Sequence, residues 1–238
     1  MALVDLKVPL CFRRIPADSP LSEALAKAYR GRGVFVRRPD GGWPGIALDS
    51  RWVEPENQLN AGRRSDFRRA VRIASEMGPV SSEIVTPTPS TLRPLLEEAF
   101  AVEAAGWKGE TKTAMALDPL RGPFYRQYAT AACEKGILRL AFLRIGREIA
   151  AMQLAVECIG GFWLHKIGFD KRFARCSPGN LLLRETIRDA AMRGLASFEF
   201  LGTIEPWVQV WTRQERPCVV LRGYPLGVAA QDTWQATL

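Results

Sequence analysis

The segment 172–180 combines the residue types that bind phosphate groups. Two arginines precede a Ser-Pro-Gly-Asn run, which leads into an apolar helical pattern. A helix N-terminus offers backbone N–H groups and the positive end of the helix dipole, and a glycine lets an anion approach the backbone. The segment therefore predicts a pyrophosphate site, although it has neither a Walker A motif nor a dinucleotide fingerprint. The alternative is a capped helix with solvated arginines. The residues concerned are Arg172, Arg175, Ser177, Gly179, Asn180 and Leu181.

Two residues are candidates for proton transfer. Glu199 lies between two phenylalanines in a short predicted strand, and apolar surroundings commonly prepare a carboxylate to act as a general base. The alternative for Glu199 is an ion pair with an arginine or an exposed position at a sheet edge. His165 is the only histidine, and an ordinary imidazole pKa of about 6.5 suits proton transfer. Strand alternation places His165 on one face with Trp163 and Ile167, so a packed core histidine is its alternative.

Metal and disulfide chemistry are not expected. A single histidine excludes a two-histidine metal site, and the five cysteines are scattered without a Cys-x-x-Cys pair. Such cysteines are typical of a reducing compartment, and residues 1–16 lack the pattern of a secretory signal peptide. No apolar run approaches the ~18–20 residues of a membrane span, so we expect a cytoplasmic protein. Arg172 and Arg175 predict a lowered thiol pKa at Cys176, but no base is placed beside it.

Charge and composition favour an anionic partner. Among 238 residues, 33 Lys and Arg stand against 25 Asp and Glu, which gives a net charge of +8 and a pI near 9.6. The hydrophobic fraction of 47% and the charged fraction of 24% exclude disorder as the main state. Five arginines crowd the helix predicted within 57–77, which indicates a phosphate or nucleic-acid contact or, alternatively, a solvated face. They are Arg63, Arg64, Arg68, Arg69 and Arg72.

The hydrophobic pattern predicts an α/β (α+β) fold with a mixed, mostly antiparallel sheet flanked by helices. Three alternating runs joined by short turns, 137–143, 148–156 and 162–169, predict an antiparallel meander. A helix after segment 172–180 then leads to strand 197–201, a crossover compatible with parallel neighbours. Residues 1–50, which glycines and prolines interrupt between 31 and 45, predict a short and incomplete region before a main domain at 51–238. Other helices are predicted at 19–29, 57–77, 91–105, 122–135 and 205–214, and other strands at 34–36, 81–85 and 218–222.

Four segments, in order between residues 57 and 215, resemble the GNAT-like acyltransferases of the CelD/BcsL type, which are relatives of the FemAB ligases. They are the arginine-rich helix 63–78, the Trp107-Lys108-Gly109 signature, the run from Lys166 and Asp170 to the Ser-Pro-Gly helix start, and the acidic strand 198–202. The resemblance implies a GNAT fold that binds acyl-CoA, with acetyl-CoA the first choice, where strands 162–169 and 197–201 diverge. It implies the pyrophosphate at segment 172–180, with Lys166 also at the cofactor.

The resemblance also implies roles on the acceptor side. Asp170 joins Glu199 and His165 as a catalytic candidate, although it equally suits a loop cap. Trp107 and Lys108 are expected to bind the acceptor, with ordinary core packing as the alternative for Trp107. Relatives carry a lysine in a Tyr-Lys pair after the acidic strand, whereas residues 203–208 contain none. The N-terminal half is also short, so the acceptor pocket is either open or completed by a second copy in a homodimer.

These observations favour an N-acyltransferase that moves an acyl group from acyl-CoA to an amine of a small molecule or sugar, without a metal. One alternative is a Fem-like transferase that uses aminoacyl-tRNA, which the basic helix and the high pI favour. Another is a non-catalytic RNA-binding or interaction protein with the same fold, which the missing lysine keeps open.

Overall fold

The computed structural model describes residues 3–106 and 118–227, which fall into two compact units. The first comprises residues 3–43 and 215–227, and the second comprises residues 44–106 and 118–214. The division into domains at 1–50 and 51–238 stays a prediction. Within the described ranges, no helix is long and apolar enough to cross a membrane.

The first unit contains a short 3-10 helix (Leu3–Leu6), one α-helix and the strands around it. These are β1 (Leu10–Pro16), α1 (Leu21–Tyr29), the first part of β2 (Gly33–Ala47) and β8 (Glu215–Pro225). β1 pairs antiparallel with β8. The prediction that glycines and prolines interrupt the chain between 31 and 45 is wrong, because β2 is continuous there. Gly42 shows why a glycine is needed in this strand, since a Cβ at that position would lie 2.6 Å from the carbonyl oxygen of Arg216.

The second unit contains the sheet and helices that position the site. Its further strands are β3 (Val80–Val85), β4 (Leu138–Ile145), β5 (Glu148–Cys158), β6 (Gly161–Phe169) and β7 (Ser197–Glu199). Its helices are α2 (Ala61–Met77), α3 (Pro89–Ala104), α4 (Arg121–Glu134) and α5 (Pro178–Met192). The strand order is β2-β7-β6-β5-β4-β3. All of these pairs are antiparallel except β6–β7. The predicted mixed, mostly antiparallel sheet flanked by helices is therefore confirmed.

Helices cover both faces of this sheet. α2 and α5 pack on one face around Phe67 and Leu182, and α3 and α4 pack on the other around Phe100. Alternate residues of β5 pack into the two cores: Ala151 packs with α2 and α5, and Met152 packs with α3 and α4. Because both faces are covered, the central strands are apolar on both sides.

The crossover from β6 through α5 to β7 is parallel, as the sequence predicts. Pro178 lies in the first turn of α5, and Gly194 follows the helix end with a φ of 75°, which glycine adopts without strain. The predicted helix at 205–214 is wrong, because only a 3-10 turn, Val208–Val210, forms there. Its valines and flanking tryptophans are weak helix formers, so local propensity does not support a longer helix.

The two-residue turn between β5 and β6 offers a stability test. Ile159 lies there with a φ of 50° and is 98% exposed, and Gly160 follows with a φ of 70°. A left-handed conformation costs a β-branched residue roughly 1–2 kcal/mol, whereas asparagine adopts it readily in such turns. We expect Ile159→Asn to raise the free energy of unfolding by about 1 kcal/mol in urea titrations. Ile159→Val is the matched control and should give no gain; an equal gain in both variants would contradict the explanation.

Candidate active site

A cavity opens where β6 and β7 separate. The two strands pair from Gly161 and Ser197 to Trp163 and Glu199, which is the beginning of β6 and the whole of β7. Past this point the chain segments enclose a cavity of about 430 Å³. Its walls come from the end of α3, the end of β6, the start of α5 and the chain after β7. The principal lining residues are Glu103, Gly106, Ile167, Gly168, Phe169, Ser177, Pro178, Gly179, Asn180, Leu183, Glu205 and Trp207.

The start of α5 forms the polar wall of this cavity. Ser177 connects the 3-10 helix Lys171–Cys176 to α5 in a left-handed conformation with a φ of 48°, which is strained for a non-glycine residue. Gly179 faces Ile167, and a Cβ on it would lie 3.6 Å from the Ile167 Cδ1 atom. Its lack of a side chain leaves room beside the first turn of the helix. The cavity thus combines an apolar wall on β6 with the positive end of a helix dipole.

Asp170 and Arg172 hold the loop that leads into this helix. The carboxylate of Asp170, which is 5% exposed, accepts hydrogen bonds from the Arg172 backbone N at 2.9 Å and from its Nε at 2.8 Å. Burial acts to raise the pKa of Asp170, but the Arg172 hydrogen bonds outweigh it and lower the pKa. Arg172 also forms an ion pair with Glu148 at 3.1 Å. Both side chains are therefore engaged in fixing the loop.

A β-bulge in β6 decides which side chains reach which face. Leu154 of β5 lies opposite Lys166, and the next residue, Ala155, lies opposite Leu164, so His165 is the extra residue. Because of this insertion, Leu164 before the bulge and Ile167 after it pack in the same core, with α2 and α5. The prediction that His165 shares a face with Ile167 is therefore wrong.

His165 packs against α4 on the opposite face. The hydroxyl of Tyr128 and the Nε2 atom of His165 are 2.9 Å apart, and the ring centroids are 4.9 Å apart. Burial, together with the charge of Lys166, lowers the pKa of His165 to about 4. The imidazole is consequently neutral at pH 7. This geometry favours the alternative of a packed histidine.

Glu103 is a buried carboxylate in the wall of the cavity. It lies on the last turn of α3, and its side chain is 0% exposed. Its Oε1 atom is 3.9 Å from the Nζ atom of Lys166, which also lies 4.9 Å from the centroid of the Tyr125 ring. Gly168 allows this close approach of α3 to β6, because a Cβ there would lie 2.9 Å from the Cα atom of Glu103. Glu103 thus belongs to the cavity wall, and its carboxylate lies beneath the accessible surface next to Lys166.

Residues 61–208 match the family described as the acetyltransferase (GNAT) domain, and this match covers more than half of the chain. The chain belongs to the GNAT acetyltransferase family. The diverging β6–β7 pair and the cavity at the start of α5 thus lie inside the matched GNAT domain. No curated protein matches the sequence.

Solved structures share the fold of this GNAT domain protein at low identity. The C-terminal domain of a putative lysylphosphatidylglycerol synthetase from Agrobacterium fabrum is 14% identical with a TM-score of 0.57, over 89% of this chain and 66% of that one. A conserved protein of unknown function from Bacteroides thetaiotaomicron is 14% identical with a TM-score of 0.56, over 92% and 71%. FemX is 10% identical with a TM-score of 0.57, over 92% and 72%. The chain thus spans about two thirds of the first of these structures, and the likeness concerns the fold.

The structure brings together part of the predicted cofactor site. Ser177, Gly179 and Asn180 line the cavity, whereas Arg175 and Leu181 line a second cavity on the other side of the α5 start. Arg172 and Lys166 are absent from the described walls of both cavities. Trp107 and Lys108 lie outside the described residues. Asn180 is fixed by a hydrogen bond that its Oδ1 atom accepts from Trp211 Nε1 at 3.3 Å.

The three predicted catalytic residues do not line the cavity in the described part of the chain. Glu199 is 3% exposed and lies in register with Gly45 of β2, where a Cβ would stand 2.6 Å from its Oε2 atom. Asp170 caps the loop and His165 packs against Tyr128, so their catalytic roles stay predictions. The prediction for Cys176 is wrong, because this buried thiol has a pKa that burial raises.

Glu103 is not among the site residues that the sequence predicts, although the pattern of α3 contains a signal for it. The buried face of α3 repeats at Leu92, Leu96 and Phe100, and Glu103 occupies the next position of the same stripe. A carboxylate in an apolar stripe is unusual and commonly marks a functional or ion-paired group. Glu205 and Trp207 are not predicted as site residues, because the sequence after β7 predicts a helix at 205–214.

Proposed function

We propose that the protein is an N-acyltransferase that transfers an acyl group from acyl-CoA, with acetyl-CoA the first choice, to a primary amine of a small molecule or sugar. The observation that carries this proposal is the cavity between the end of β6 and the start of α5. Within the GNAT family, the four segments from the arginine-rich helix to the acidic strand favour the CelD/BcsL type.

The donor side of the cavity supports acyl-CoA. Ile167, Phe169 and Leu183 supply apolar contacts suited to the pantetheine arm, and the helix start at Ser177–Asn180 suits its pyrophosphate. Acyl-CoA supplies the thioester, whose carbonyl carbon is the electrophile.

The acceptor side requires a group that removes a proton from the amine. In the reaction the amine nitrogen forms a bond to the carbonyl carbon, the carbon–sulfur bond breaks, and the thiolate leaves. We assign the proton to Glu103, because Glu103 belongs to the cavity wall and its carboxylate is shielded from water. Glu199, His165 and Asp170 are the rival assignments that the sequence predicts.

A Fem-like transferase that uses aminoacyl-tRNA is the second candidate. The similarity of the fold to FemX and the arginines of α2 favour it. A tRNA contact would neutralise several phosphates, so binding would weaken steeply with salt. Steep salt dependence of binding therefore distinguishes a tRNA-dependent transferase from one that uses acyl-CoA.

The test is thermal stabilisation by CoA, acetyl-CoA and longer acyl-CoAs, with bulk tRNA as a comparison. A ligand at 100 times its dissociation constant adds about 2.7 kcal/mol to the free energy of unfolding. We expect a clear shift with CoA species that Gly179→Asp abolishes, because a carboxylate at the helix start repels phosphate. An acidic residue in the first helical turn should not destabilise the fold.

Gly179→Ala is the matched control, since it adds a methyl group without charge at an ordinary contact distance. We expect it to retain most of the shift. If no CoA species stabilises the protein and tRNA binds in a salt-dependent way, the second candidate replaces the first.

A further inference from the structure

A second, smaller cavity lies across the α5 start from the proposed donor cavity. Its volume is about 180 Å³, and α2 forms its opposite wall. Ser177 and Asn180 line both cavities, so the two are separated only by the first turn of α5 and the residue before it. The charged residues of the second cavity are Arg63, Asp66, Arg69 and Arg175.

This cavity has an excess of positive charge. Arg69 is 3.6 Å from Asp66, the one carboxylate among its lining residues. Arg63 and Arg175 form no ion pair with any residue in the described ranges. Three arginines and one aspartate among the lining residues of a concave site favour an anion with several oxygen atoms, because arginine binds phosphate oxygens in a bidentate manner.

The other arginines of α2 are directed elsewhere. Arg64 and Arg68 line a separate cavity together with Glu54 and Glu56, and Arg72 lies 3.8 Å from Glu76. The helix therefore does not present one continuous basic stripe of the kind that tracks a nucleic-acid backbone. Because the arginines of α2 are divided between two separate cavities, the smaller cavity is suited to a single phosphate group.

We propose that Arg63, Arg69 and Arg175 bind the terminal phosphate monoester of the donor nucleotide, which in acyl-CoA is the 3′-phosphate. The inference rests on the proposed function, because it takes the donor to lie in the neighbouring cavity. A monoester carries close to two negative charges at neutral pH, which matches the three guanidinium groups and one carboxylate of the site. The site would distinguish CoA from analogues that lack this phosphate.

The experiment compares CoA with 3′-dephospho-CoA by calorimetric titration. The wild-type protein is expected to bind CoA about tenfold or more tightly than dephospho-CoA, since charge-assisted hydrogen bonds are lost with the phosphate. Arg63→Ala and Arg175→Ala should weaken CoA binding to the level of dephospho-CoA and leave dephospho-CoA binding unchanged. Arg72→Ala, on the same helix but outside the cavity, is the control and should retain the preference.

The possible outcomes test the phosphate site and the identity of the donor separately. Equal affinity of the wild-type protein for both nucleotides would overturn the phosphate site and leave acyl-CoA as the donor. Binding of neither nucleotide would overturn both. Salt-dependent binding of bulk tRNA that Arg63→Ala and Arg175→Ala abolish, without any CoA preference, would assign these arginines to RNA instead.

Discussion

Glu103→Gln is expected to slow acyl transfer by about 100-fold or more while leaving the affinity for CoA unchanged. Glu103 is part of the cavity wall, its side chain is 0% exposed, and its Oε1 atom lies 3.9 Å from the Nζ atom of Lys166. Glutamine keeps the size and the carbonyl oxygen of the side chain but cannot accept a proton. The variant therefore removes the chemistry of Glu103 with little change in packing.

The measurement is release of CoA thiol from acetyl-CoA in the presence of a panel of primary amines and amino sugars. Glu205→Gln is the matched control, because Glu205 lines the same cavity but is exposed and accepts a hydrogen bond from Trp207 Nε1 at 3.2 Å. We expect this control to lose little activity. If instead Glu199→Gln stops the reaction and Glu103→Gln does not, the base is the one that the sequence predicts.

Alanine would be a poor probe of Glu103. Lys166 has only 16% of its side chain exposed, and alanine would remove both the carboxylate 3.9 Å from its Nζ atom and the side-chain volume beside it. Breaking a buried ion pair from one side costs about 3–5 kcal/mol. A loss of activity in Glu103→Ala would therefore be confounded by unfolding, whereas glutamine retains the side-chain volume and a carbonyl oxygen.

The parts of the fold that the sequence predicts well are those with local determinants. The β4–β5–β6 meander follows from alternating runs and short turns, and the bounds of α5 follow from Pro178 and Gly194. The Ser-Pro-Gly run is a local helix-start signal, so the position of the α5 start follows from the sequence. Its role as a pyrophosphate site stays a prediction.

The missed features depend on tertiary context. The bulge at His165 arises from the register with β5 and reverses the alternation that the sequence suggests. Glu103 joins the site only because Gly168 lets α3 approach β6. The separation of Arg63 and Arg69 from Arg64 and Arg68 likewise depends on the segments that pack on either side of α2.

Acidification is expected to destabilise the protein between about pH 6.5 and pH 4 through His165. An unfolded histidine binds a proton near pH 6.5, whereas burial and the charge of Lys166 lower the pKa of the native residue to about 4. Within this window the unfolded state holds more protons, so stability rises with pH and is lost as pH falls. The shift corresponds to about 3 kcal/mol over the whole window.

Because His165 is the only histidine in the sequence, no other imidazole contributes to the pH dependence of stability. Urea unfolding at pH 7, 6, 5 and 4.5 would measure the loss. The hydrogen bond and ion pair with Arg13 lower the pKa of Asp40 to about 2, so the stability that Asp40 contributes is lost only below this pH range.

His165→Gln is the matched control. It retains an acceptor for the Tyr128 hydroxyl but does not titrate, so its free energy of unfolding should be nearly constant across the window. Two-dimensional NMR of the imidazole would report the pKa directly. A value near 6.5, or an equal pH dependence in His165→Gln, would mean that the ring is hydrated in the native state and would return it to the list of proton-transfer residues.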